Sequence, residues 1–257
     1  MFERYTNSLC VGSSVILILL MIISGVSCSK SPVLDCFKST GKITQTERIV
    51  SDFHTIVLRD NIDLQLRQSD QNKLVLEAGN NLMSKIYTDV SNSGVLEIKN
   101  ENRCNWVRSY DKPITVYLDF VKLDTLVYRS VGNVTNEDTI RADTLVVEVN
   151  EGAGRIELKV DTYKILTNLH YGTADIVTSG KTVVSLVYLA GFGMIDNSQL
   201  IANHIYLNNK SSNDIFINAI TTIEATIENI GDIYYLGNPG SVSVEKLGPG
   251  NLIKLED

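Results

Sequence analysis

Asp175, Asp214 and Asp232 stand at the same place in a phrase that recurs along the second half of the chain: a small residue, a polar residue, an aliphatic one. If the recurrence reports stacked units, some of these carboxylates come within a few ångströms of one another. Carboxylates so placed on an exposed face can cleave glycosidic bonds, one acting as acid and another as base or nucleophile. Met194 takes the corresponding place between Asp175 and Asp214 and interrupts the column. The preferred explanation is plainer: charged turn residues keep strand edges soluble and deter aggregation. Calcium-binding roll repeats also stack acids, but their tighter Gly-Gly-x-Gly-x-Asp spacing is absent. His54, His170 and His204 lie far apart without metal-ligand spacing, and no cysteine pair has zinc spacing. No metal and no cofactor is expected. Gly152-Ala153-Gly154 and Gly191-Phe192-Gly193 lack a following helix and are coil corners rather than phosphate loops.

The element that must position those acids is the phrase itself. It reads Gly132-Asn133-Val134, Gly154-Arg155-Ile156, Ala174-Asp175-Ile176, Gly193-Met194-Ile195, Asn213-Asp214-Ile215, Gly231-Asp232-Ile233 and Gly250-Asn251-Leu252. Its aliphatic member returns every 18 to 22 residues, inside the range of solenoid repeats. A second aliphatic row, Leu126, Leu145, Ile165, Leu186, Ile205, Ala225 and Val244, is offset by about half a unit. Each coil therefore holds at least two short strands, with aliphatics of successive coils stacked inside. An antiparallel sandwich also fits closely spaced short strands, but has no reason to repeat its corners.

Earlier in the chain, Ile62-Asp63-Leu64-Gln65-Leu66, Leu74-Val75-Leu76, Val95-Leu96-Glu97-Ile98 and Ile114-Thr115-Val116-Tyr117-Leu118 alternate as strands. This less regular part, 46–120, either covers one end of the stack or continues it as distorted coils. The regular coils occupy 121–257. At the other end Pro239-Gly240, Pro249-Gly250 and the tail Lys254-Leu255-Glu256-Asp257 look like devices that blunt an open edge. Self-association through the ends is a possible use of such a stack.

The amino terminus, 1–27, reads as an export signal. Arg4 precedes an apolar run from Val15 to Ile23, too short to span a bilayer comfortably. Small residues and then Cys28 follow, which looks like a bacterial lipoprotein signal with Cys28 lipidated, although Gly25 stands where Leu is usual. Two acyl attachments there would satisfy the requirement for stable anchoring. Residues 28–45 form a tether, and 46–257 the solenoid. Cys10 goes with the signal. Cys36 and Cys104 are the other thiols of an exported chain, and either pair as a disulfide or remain free. The net charge of −7, without a basic stripe, argues against nucleic acid as a partner. The expected partners are the membrane, through the anchor, and an unknown glycan or protein ligand.

Two weaker signals remain. Asp124-Thr125-Leu126, Asp138-Thr139-Ile140 and Asp143-Thr144-Leu145 resemble a short O-glycan acceptor motif of exported Bacteroidota-type proteins, although Asp-Thr also simply starts strands. Tyr171, Phe192 and Tyr234-Tyr235 near corners, with Tyr188 and Tyr206 in strands, could offer stacking surface to a ligand. Core packing is the commoner role of such residues.

The order of features resembles the family of exported proteins described as auto-transporter adhesins with the head-GIN domain. The resemblance runs over nearly all of the mature chain. It rests on Asp35-Cys36-Phe37, Phe53-His54-Thr55-Ile56, Arg103-Cys104-Asn105-Trp106, Gly152-Ala153-Gly154 and Gly250-Asn251-Leu252-Ile253-Lys254. It implies an all-β, right-handed parallel β-helix-like solenoid with coils of about 20 residues, export to the envelope and no established enzyme activity. The chain is thus expected to be a lipid-anchored envelope protein, an outer-membrane lipoprotein facing the periplasm or the cell surface. It would act as an adhesin or binding scaffold without catalysis. The alternative is a polysaccharide-acting β-helix enzyme, a lyase or glycosidase, which would need two or three convergent acids in a groove.

Overall fold

The computed structural model describes residues 39–103 and 113–256. Lipidation at Cys28, the tether and signal, and pairing of Cys36 with Cys104 concern positions outside the described residues. In chain order the strands are β1 (Ile43–Arg48), β2 (Thr55–Asp60), β3 (Ile62–Gln68), β4 (Lys73–Gly79), β5 (Ile86–Val90), β6 (Val95–Asn100), β7 (Ile114–Phe120), β8 (Thr125–Ser130) and β9 (Val134–Asn136). The second half holds β10 (Ile140–Gly152), β11 (Arg155–Leu169), β12 (Asp175–Leu189), β13 (Ile195–Asn209), β14 (Ile215–Ile227), β15 (Ile233–Leu236), β16 (Ser241–Lys246) and β17 (Leu252–Lys254). Among the described residues the one helical piece is a 3-10 turn at Met83–Lys85.

The long strands carry the argument for a solenoid. In β11 the inward residues are Ile156, Leu158, Val160 and Thr162, then Ile165, Thr167 and Leu169. Strand alternation has period two, so this change of phase between Thr162 and Ile165 bends the strand while keeping one face inside. Each coil thus has two sheet segments that face each other across a common interior. The result is a β-solenoid of about 6 turns with 20-residue coils. β10 to β14 pair in parallel, each with the next. The aliphatics of the recurring phrase fall in one hydrogen-bonded column: Val134, Ile156, Ile176, Ile195, Ile215, Ile233 and Leu252. All but Leu252 are fully buried, each worth roughly 1.5–3 kcal/mol of apolar transfer.

The second aliphatic row needs correction. Its members other than Leu186 are split between two adjacent inward columns, Leu126–Val147–Thr167–Val187–Leu207–Ala225–Val244 and Leu145–Ile165–Ser185–Ile205–Ile223–Val242. Leu186 lies in neither; it faces outward between Leu166 and Tyr206. Ser185 takes the interior place instead. A one-residue shift exchanges inside for outside, and coils of unequal length hide that shift from any count of spacing.

Corners are closed by side chains that serve the backbone. The Tyr128 hydroxyl donates to Gly132 O at 2.6 Å and accepts from Gly154 N at 3.0 Å. Four coils further on, Asn209 bridges the corner in its turn, its Nδ2 donating to Asn213 O and Gly231 O at 3.0 and 3.2 Å. Gly152 has φ +128, and a Cβ there would lie 2.0 Å from Ser130 O, so the corner requires glycine. Burial pushes the Tyr128 phenol up to about 12, opposed by its hydrogen bonds to the corner.

The first part does two jobs. β2 and β3 pair in parallel with β8 and β9 on one side and with β6 and β7 on the other. They are therefore a coil inserted between two coils that come later in the chain, so the stacking order departs from chain order. Beyond them, β4 runs antiparallel to β7, β1 antiparallel to β4, and β5 antiparallel to β6. These antiparallel strands close the interior at that end. Arg48 ties them together, with Nη1 donating to Ile86 O at 2.7 Å and Nη2 to Met83 O at 3.1 Å. Residues 39–102 and the coils after 113 belong to a single unit.

Candidate functional site

Each acid of the corner column accepts a hydrogen bond from the backbone of the next coil. Asp175 Oδ1 accepts from Met194 N at 2.9 Å, Asp214 Oδ1 from Asp232 N at 2.8 Å, and Asp232 Oδ1 from Asn251 N at 2.7 Å. Asp63 and Asn133 repeat the device, accepting from Asn133 N and Arg155 N at 2.7 and 3.2 Å. At a corner the regular ladder is interrupted, and the carboxylate supplies the acceptor that a backbone N–H would otherwise lack. Asp214 and Asp232 come together beside Tyr234, whose phenol is raised by burial first and then by these two charges. Tyr234 stacks on Phe216 at 5.0 Å between centroids. Asp175 lies apart from them, beyond the coil of Met194.

The histidines are dispersed. His54 Nδ1 lies 3.8 Å from Asp124, which also pairs with Lys122 at 2.8 Å. His170 Nε2 meets Glu148 Oε2 at 2.7 Å and lies against the Tyr188 ring, and His204 Nδ1 meets Thr222 Oγ1 at 3.2 Å. Among the described residues no group of three His, Cys, Asp or Glu side chains could hold a metal ion. Tyr171 and Phe192 stand exposed at corners one coil apart, while Tyr235 packs partly against the core. Thr125 and Thr144 line one concavity at the bend, and Thr139 a neighbouring one.

An apolar surface suited to recognition lies on the outer face of β11 to β14 and β16. Parallel pairing aligns Val146, Leu166, Leu186, Tyr206, Glu224 and Ser243 in one outward column. Beside it run Glu148, Asn168, Tyr188, Asn208, Thr226 and Glu245. Between these columns lies an open groove of about 540 Å³, lined by Leu166, Leu186, Tyr188, Tyr206, Asn208 and Glu224 among others. Outward strand positions are ordinarily polar. Here an aliphatic and aromatic stripe runs along the stacking direction, and Tyr206 is 39% exposed.

Polar groups at the margin are fixed. Asn168 Nδ2 donates to Glu148 Oε1 at 2.7 Å and Asn208 Nδ2 to Glu228 Oε1 at 2.9 Å. Hydrogen bonds from Asn208 and then Lys210 lower the Glu228 carboxyl below its usual range. Asn208 Oδ1 is buried without a partner. Rings held by a rigid ladder beside fixed amides and carboxylates provide contact area and orientation for an elongated ligand. Tyr188 and Tyr206 are legible in the sequence as strand aromatics. Spacing singles out Leu186 only as an interior residue and does not single out Leu166, Asn168 or Asn208, because their outward phase appears only in the pairing.

Residues 52–239 match the family described as putative auto-transporter adhesin, head GIN domain. No curated protein sequence matches the chain. Among solved structures, a putative adhesin from Bacteroides fragilis superposes with a TM-score of 0.75 at 21% identity, over 83% of this chain and 97% of that one. A putative lipid binding protein from Parabacteroides distasonis gives 0.68 at 21% identity, over 85% and 98%. A putative adhesin from Parabacteroides merdae gives 0.62 at 16% identity, over 85% and 98%. At such identities the likeness carries the fold alone.

Proposed function

The chain belongs to the putative auto-transporter adhesin family with the head GIN domain, and from that membership we propose a binding scaffold of the cell envelope that works without catalysis. Its ligand lies in the groove beside Tyr188 and Tyr206. The observation that carries this reading is the outward stripe of Val146, Leu166, Leu186 and Tyr206 on a face that strand alternation would leave polar. Lipidation at Cys28, placement at the outer membrane and right-handed winding are parts of the same proposal. Among the described residues no helix is long and apolar enough to cross a membrane. The ligand proposed first is a glycan, which would stack its ring faces on Tyr206 and Tyr188 and pair its hydroxyls with Asn168 and Asn208. The three aliphatic members of the stripe favour one further reading, an acyl chain in the same groove. No observation favours the polysaccharide-cleaving alternative: Asp175, Asp214 and Asp232 are engaged with backbone N–H groups at corners.

The test is a glycan array and a lipid-vesicle pull-down, each run with the native protein and with Tyr206→Ala and Tyr188→Ala, beside a screen for polysaccharide cleavage. Binding lost in both variants supports the groove. Binding retained in both, or turnover of any polysaccharide, overturns it. Whole cells labelled with a membrane-impermeant reagent, with Cys28→Ala as comparison, test display and anchoring.

A further inference from the structure

The two ends of the coil stack are finished differently. One is closed by β1, β4 and β5 and tied by Arg48. At the other, β16 pairs with β14 on one side, and every residue of β16 is exposed. Val242 and Val244 continue the interior columns of Ile223 and Ala225, yet are 45% and 36% exposed. Among the described residues no other strand pairs with β16, and an inward column left open beside such an edge is a template for another strand.

We propose that β16 is a docking edge for a second copy of this chain, which pairs its own β16 antiparallel about a twofold axis through Ser243. The strand's pattern is self-complementary and so suits that occupant. With Ser243 on the axis, Val242 falls opposite Val244 of the second copy, and the interior continues unbroken across the contact. Glu245 falls opposite Ser241, so like charges do not meet. The same patch serves both copies, as a twofold contact requires. The neighbouring edge is protected. Lys254 of β17 stands in the interior column of Ile217 and Tyr235, its Nζ donating to Asn238 Oδ1 at 2.6 Å. An inward-pointing charge is a known guard of strand edges, and it confines the pairing to β16.

A contact centred on one strand lies at the low end of interface sizes, below about 1,200 Å². The dimer is therefore weak in dilute solution and favoured where chains are gathered at high local concentration, as on a membrane. It also has a consequence for binding. Ser243 and Glu245 line the end of the groove, so twofold pairing sets two grooves end to end and doubles the face offered to a long ligand.

The test is sedimentation equilibrium over a concentration series with the purified protein, Val242→Lys and Val244→Lys. A monomer–dimer equilibrium is expected, with a dissociation constant at least tenfold higher in each variant and an unchanged melting temperature. Ser243→Cys tests the register without disturbing the valines. Opposed Cα atoms in an antiparallel ladder are about 4.5–5.5 Å apart, within the span a disulfide bridges. Mild oxidation should then give a covalent dimer above the native background, and Ser241→Cys should not. Monomer at every concentration, a dimer indifferent to both lysines, or equal cross-linking at Ser241 and Ser243 overturns the proposal.

Discussion

Replacing Tyr128 by Phe isolates the chemistry of one corner. The ring stays, wholly buried between Leu58 and Val149 in its column, so no cavity opens. What goes is a hydroxyl that satisfies Gly132 O at 2.6 Å and Gly154 N at 3.0 Å. Each buried group left unsatisfied costs about 1–3 kcal/mol. For the pair this comes to about 2–6 kcal/mol, and because the Gly154 N–H bond is only part-buried the sum falls in the lower half, about 2–4 kcal/mol. For a unit of this size, 1 kcal/mol moves the melting temperature by about 2–4 °C, so Tyr128→Phe should melt about 5–15 °C lower. Calorimetry beside Tyr171→Phe, an exposed tyrosine, is the assay. The phenol also sets an alkaline limit. Its folded pKa of about 12 lies above the ordinary value of 10. A raised pKa contributes stability that is complete below the unfolded value and lost as pH climbs from about 10 to about 12. The native protein should therefore lose stability across that window more steeply than Tyr128→Phe. A variant that melts within a degree of native, or that shares its alkaline profile, would refute the corner as a satisfied hydrogen-bond centre.

Other outcomes follow from the same geometry. Asp214→Ala strands the N–H of Asp232 and should cost about 1–3 kcal/mol in urea unfolding, whereas Asp214→Asn keeps an acceptor and should cost less than half as much. Ser185 Oγ is buried without a partner between Ile165 and Ile205, so Ser185→Ala should raise stability by about 1 kcal/mol; a loss of similar size would mean that the hydroxyl is satisfied. Arg48→Met removes the donors that hold Ile86 O and Met83 O, and hydrogen exchange should speed up by tenfold or more in β1 and β5 while β12 is unchanged.

The coil was readable because parallel stacking makes spacing and contact the same thing. A residue pairs with the one about 20 positions later, so Val134, Ile156 and Ile176 announce their column in the chain itself. Corners were readable in part: glycine at Gly152 and Gly154 answers a local backbone need, whereas Asp175, Asp214 and Asp232 read as solubilising turn charges and only the structure shows them accepting from the backbone of the next coil. The second half of each coil was not. Leu186 and Ser185 are neighbours, and only the ladder shows which one points inside, since the bend resets the alternation. The groove inherits that blindness: Leu186 reads as an interior residue until the pairing turns it outward beside Leu166 and Tyr206.

The sequence alone thus determined the repeat, its period, the strand class and the residues that turn each corner, all properties carried within one coil. Tertiary structure decided three things: the insertion of β2 and β3 between β6–β7 and β8–β9, the antiparallel closure by β1, β4 and β5, and the side of the ladder on which Leu186 and Tyr206 emerge. Those depend on hydrogen bonds between strands 70 positions apart, as from Ser130 Oγ to Asp60 O. No local preference encodes them, because an extended strand offers the same donors and acceptors to any neighbour until burial selects one.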